Sequence, residues 1–122
     1  MIEARILVAS EDDYRTYAHA VARAIRELRP HAQVASTDLG TLEEEAARLD
    51  PHLVILCSQP GTADTVGSPV SWVELSPHPE RPWRIRVGQR CWESLNPTLE
   101  ELLSVVDETE RLAKTTRESG NR

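Results

Sequence analysis

Few side chains in this 122-residue sequence could do chemistry, and they are scattered. Cys57 ends the apolar run HLVILC, and Cys91 lies in RCWE; the two form no CxxC pair. A thiol becomes a nucleophile, redox sensor or phosphate carrier when a cation or helix N-terminus lowers its pKa. No Lys or Arg stands within six positions of Cys57, so a small buried hydrophobe is the simpler role. His19, His31, His52 and His78 make no HExxH or CxxC-type metal pattern, and no metal or other cofactor is expected. Glu11, Asp12 and Asp13 could be a cation site, or charges suited to the positive end of a helix.

The densest cluster is RPWRIRVGQRCW, residues 81 to 92. It combines Arg81, Arg84, Arg86 and Arg90 with Trp83 and Trp92 and contains no acid. Arg and Trp are enriched in binding hot spots, and guanidinium groups stack on indoles. A protein-contact surface is one reading; a Trp-packed core edge with solvated arginines is the other.

These residues must be positioned by the elements around them. ARILVA and HLVILC read as buried strands, the second apolar almost throughout, as in a parallel strand covered on both faces. AQVAST and VSWVEL read as two further strands. Ser10 with Asp13 and Thr41 with Glu44 have capping-box spacing. They predict a helix from Glu11 to Arg29, ended by Pro30, and a short helix broken at Asp50-Pro51. Tyr14, Tyr17, Ala18, Val21, Ile25 and Leu28 make the first helix's apolar stripe. Gly88-Gln89 can close a hairpin that sets Ile85 opposite Trp92 and Arg84 opposite Glu93. Alternation then puts Trp83, Ile85 and Val87 on the core face and Arg84 and Arg86 on the other. Arg84 would pair with Glu93, a contact worth little to stability if exposed. Thr98 and Glu101 open a last helix with Leu99, Leu102, Leu103, Val106 and Ala113 on its buried stripe. Residues 1–113 form one domain in this reading, and 114–122 a polar tail.

Strands alternating with helices predict an α/β fold with a mainly parallel sheet. The net charge of −6 argues against nonspecific nucleic-acid binding, which needs cations to replace counterions. No run of 18 apolar residues or export signal is present, so a cytoplasmic protein with free thiols is expected.

Three stretches together resemble the receiver domain of two-component response regulators. RILVASEDD is similar to the family's first strand and acidic loop. PHLVILCSQP is similar to the third strand and phosphorylation site. NPTLEELLSVV is similar to the junction before the last helix, where the family usually reads Lys-Pro. The resemblance spans residues 4 to about 113 and is weak from about 60 to 92. It implies a three-layer, doubly wound, flavodoxin-like sheet of order 2-1-3-4-5, with the fourth-helix region remodelled.

Receiver chemistry needs two acids and an acceptor aspartate around a divalent metal, with a hydroxyl and a lysine on the phosphoryl group. The resemblance carries the acid positions onto Ser10 and Glu11, with Asp12 adjacent. The acceptor falls on Cys57, the hydroxyl near Ser76 and the lysine on Asn96. Two carboxylates a hard cation would want are therefore missing, and the lysine with them. The implied protein is a pseudo-receiver: not an enzyme, not phosphorylated, and acting by contact with protein partners, itself included. The alternatives are a redox sensor or nucleophile built on Cys57, and a small-ligand site beside Ser10, Cys57 and Ser76.

Overall fold

The computed structural model describes residues 4–57, 71–76, 80–95 and 97–120, with the side chains of the last helix described as far as 113. Six strands and three helices follow one another as β1 (Arg5–Ser10), α1 (Arg15–Leu28), β2 (Gln33–Asp38), α2 (Leu42–Leu49), β3 (Leu53–Cys57), β4 (Ser71–Leu75), β5 (Trp83–Val87), β6 (Arg90–Ser94) and α3 (Leu99–Gly120). The strands form one sheet in the order β2-β1-β3-β4-β5-β6.

The first four strands are parallel. Every residue of β3 is buried, as its unbroken apolar run requires of a strand covered on both faces. Helices α1 and α3 pack on one face, where Ala18, Val21, Ala22, Ile25, Leu102, Val105 and Val106 join Ile6, Val8, Leu53, Ile55 and Cys57. Helix α2 packs on the other, where Leu42 joins Leu7, Ala9, Val54, Leu56 and Trp72. A three-layer α/β architecture results.

The sheet is mixed, not parallel throughout. β5 pairs antiparallel with β4, and β6 antiparallel with β5. Only residues 76–82 separate β4 from β5, too short a stretch for the dozen or more residues of a crossover. The β5–β6 hairpin has the register read from the sequence, with Ile85 opposite Trp92 and Arg84 opposite Glu93. Gly88 has φ 62°, the positive value required at the first central position of such a turn.

Two helix starts differ from expectation. A short 3-10 turn, Asp12–Tyr14, precedes α1, and no side chain caps it or α1. Ser10 is instead the buried last residue of β1, aligned with Asp38 and Cys57 in the neighbouring strands. At α2 the Thr41 hydroxyl bonds Thr37 and the Asp38 carbonyl rather than the helix amides. At α3 the cap forms: Glu101 N–H donates to Thr98 Oγ1 at 3.2 Å. The Glu101 carboxylate turns to Ser94 Oγ, 2.8 Å away, tying α3 to β6. α3 continues through the segment read as the start of a polar tail, to Gly120. Val105 replaces Leu99 on its buried stripe, and Leu99 is exposed.

Polar contacts tie neighbouring elements together within each layer. Arg29, just past α1, donates from Nε and Nη2 to the two carboxylate oxygens of Asp107 on α3, both at 2.8 Å. This fork holds the Asp107 carboxyl below its ordinary pKa range. Arg5 N–H donates to His52 Nδ1 at 3.0 Å, and His52 N–H donates back to the Arg5 carbonyl at 2.8 Å. Burial, and then the nearby Arg5 charge, push the His52 pKa down, favouring the neutral ring that this acceptor role needs. Among the described residues no helix is long and apolar enough to cross a membrane.

Candidate functional site

Strand order reverses between β1 and β3: the chain leaves β1 toward β2 on one side and returns to β3 on the other. In open α/β sheets, sites form outside the carboxyl ends of the strands at such a point. The sheet register aligns Ser10 with Cys57, and Cys57 with Leu75, one residue before Ser76. Glu11 N–H donates to the Cys57 carbonyl at 3.2 Å, binding the exit of β1 to the end of β3. Ser10, Glu11, Cys57 and Ser76 thus lie along one sheet edge. Asn96 and the segment 58–70 lie outside the described residues, as does His78.

The Cys57 side chain does not face that edge. It is fully buried in the core under α1 and α3. Burial pushes its pKa up to about 12. At pH 7 only ~1 thiol in 10⁵ is then ionised, far too little for a nucleophile. Cys91 is exposed. Ellman's reagent is therefore expected to titrate Cys91 promptly in the native protein and Cys57 only on unfolding. Prompt reaction of both thiols, followed by peptide mapping, would show that Cys57 is accessible.

Two acids at this edge, Asp12 and Asp38, share one partner. Arg15, on the first turn of α1, donates to Asp12 at 2.8 Å and to Asp38, at the end of β2, at 3.1 Å. The guanidinium thus occupies the position of charge balance that a cation would otherwise fill. Among the described residues, no three His, Cys, Asp or Glu side chains gather as a metal site. Beside Arg15 is an open crevice of about 420 Å³ lined by Ser10, Ala18, His19, Ser36, Thr37, Asp38 and Thr41. It lies at the carboxyl ends of β1 and β2 beside α1, and neither Cys57 nor Ser76 lines it.

The second candidate region is the β5–β6 hairpin. Trp83, Ile85 and Val87 are buried in the core, and Arg84 and Arg86 point to the opposite face, as alternation requires. Arg84, however, is not a free surface charge. It lies directly opposite Glu74 of β4, and its Nη1 donates to Glu74 Oε1 at 3.3 Å. Glu74 is only 5 % exposed, and the Arg84 guanidinium also sits 5.6 Å from the Trp72 ring centroid. The expected partner, Glu93, is exposed across the hairpin, whereas the buried carboxylate is where a cation gains most. This pair was readable only if β4 and β5 were recognised as antiparallel neighbours. Arg86 Nε donates to the Gly88 carbonyl at 3.2 Å, bracing the turn.

Arg81 is exposed just before β5. Arg90 stacks 5.4 Å from the half-buried Trp92 ring and donates to Glu108 on α3 at 3.3 Å. Arg90, Trp92, Glu101, Ser104, Val105 and Glu108 line a groove of about 210 Å³ between β6 and α3. The six predicted contact residues are therefore divided. Arg84 and Arg86 lie on the α2 side, Trp83 is core, and Arg90 and Trp92 face α3.

No family model, curated protein or solved structure matches this chain.

Proposed function

We propose that this chain is a pseudo-receiver: a cytoplasmic signalling or regulatory module of the two-component type that acts by protein contact and takes no phosphoryl group. The observation carrying this reading is the state of the β3 terminus. A fully buried thiol with a pKa near 12 stands where the resemblance places an acceptor carboxylate. Supporting it are the run β2-β1-β3-β4, which follows the first four places of the receiver order, and the two-sided helix cover. In this reading the β5–β6 hairpin is the remodelled fourth-helix region. It provides a constant surface in place of a switched one.

Beryllium fluoride with magnesium mimics the acyl phosphate of receivers and tests the reading. No saturable, magnesium-dependent NMR shift is expected at Glu11, Cys57 or Ser76. Saturable shifts there would overturn it.

A further inference from the structure

We propose that two copies of this chain associate edge to edge through β6, antiparallel, about a twofold axis at Trp92. This deepens the contact reading above, and rests on it, by naming the partner as a second copy. Among the described residues β6 has a strand on one side only, β5. The two-residue turn makes Val87–Arg90 a hydrogen-bonded pair, so alternation makes Ile85–Trp92 and Trp83–Ser94 hydrogen-bonded as well. The N–H and C=O groups of Cys91 and Glu93 therefore point outward along the open edge. An edge strand of this kind is a template for another strand.

Self-pairing fits this edge in register. With the axis at Trp92, Cys91 of each copy exchanges both backbone bonds with Glu93 of the other, and Arg90 lies opposite Ser94. The two indoles meet at the axis as a non-hydrogen-bonded pair, the close kind in which aromatic side chains gain most. The interface is isologous, so it closes at a dimer instead of propagating.

The exposed leucines follow the same symmetry. Among the described residues the exposed large apolar side chains are Leu28, Leu95, Leu99 and Leu112. Leu95 immediately follows β6, and Leu99 begins α3 beside it. Leu112 lies at the other end, where its Cδ1 is 3.2 Å from where a Cβ on Gly88 would stand. Contacts Ser94–Glu101 and Arg90–Glu108 show α3 running antiparallel to β6 between these ends. The axis at Trp92 brings the Leu95 and Leu99 end of one copy to the Leu112 end of the other. Three of the four exposed leucines would then flank the same junction.

The test uses the full chain in analytical ultracentrifugation. A dimer is expected at high micromolar concentration. Glu93→Pro removes an outward N–H while leaving the bonds to β5, which Trp92 and Ser94 make. It is expected to weaken dimerisation at least about tenfold with an unchanged circular dichroism spectrum. Glu93→Cys is expected to yield a disulfide-linked dimer with Cys91 of the second copy on mild oxidation, and the wild-type chain is not. If Glu93→Pro fails to fold, amide exchange in the wild type decides: Cys91 and Glu93 amides become protected as concentration rises. A wild-type chain monomeric throughout, a dimer indifferent to Glu93→Pro, failure of Glu93→Cys to cross-link, or concentration-independent exchange would each overturn this inference. None of these touches the pseudo-receiver reading, which the beryllium fluoride titration tests separately.

Discussion

Replacing Cys57 with aspartate is expected to lower stability by about 4 kcal/mol at pH 7. The site is fully buried among apolar side chains of α1, β1, β3 and α3. A carboxyl there stays protonated, because an ionised group without a partner is far more costly. In the unfolded chain the same carboxyl has a pKa near ~3.9 and is ionised at pH 7, so folding must take up a proton over roughly three pH units, at about 1.4 kcal/mol each. The sign follows from proton counts. Between pH 4 and the raised folded-state pKa, the native state binds more protons than the unfolded one, so stability falls as pH rises. Relative to wild type, Cys57→Asp should therefore lose less at pH 5 than at pH 8. Cys57→Ala, which removes only a thiol, should cost about 1–2 kcal/mol with little pH dependence. Urea denaturation of the three proteins at both pH values measures this. A Cys57→Asp penalty that stays constant with pH would mean that the carboxylate had reached solvent or a cation. Against a total of about 5–15 kcal/mol for a domain, the loss is large but compatible with a folded protein at low pH.

Arg84→Ala is expected to cost about 2–3 kcal/mol, much more than an arginine on a strand's solvent face. It withdraws the guanidinium from a carboxylate that is 5 % exposed and removes the stack on Trp72. Breaking a fully buried pair typically costs about 3–5 kcal/mol. The figure is lower here because the Arg84 side chain is 37 % exposed, so solvent screens part of the interaction. Glu93→Ala, across the hairpin, should cost less than about 0.5 kcal/mol. A double-mutant cycle with Glu74→Gln separates the contributions. Removing both charges should be about 1–2 kcal/mol less damaging than the sum of the single changes. A cycle that sums without coupling, or a Glu93→Ala loss equal to that of Arg84→Ala, would place the bond elsewhere. Contact tests on this hairpin should therefore change Arg90 or Glu93 rather than Arg84, whose loss would unsettle the sheet itself.

Local chemistry in the sequence determined most of the elements. The uninterrupted apolar run at 53–57 specifies a doubly covered strand because any polar side chain there would be stranded from water. Gly88 and Gln89 specify the hairpin and its register, since only a short turn with a positive-φ first residue closes it. Proline and left-handed Asp50 end the helices where expected. What lay beyond reach depended on distant neighbours. Ser10 has the spacing of a cap, but sheet pairing with β2 and β3 claims it first. Whether the hairpin continued a parallel sheet or folded back on β4 depended on the short link between them. That choice made Glu74, not Glu93, the partner of Arg84. The thiol of Cys57 was legible as a residue type, but its fate was not: packing of α1 and α3 over the end of β3 keeps it protonated. Periodicity and turns act within a few residues. The environment of a charge or a thiol is set by whichever segments tertiary packing brings against it.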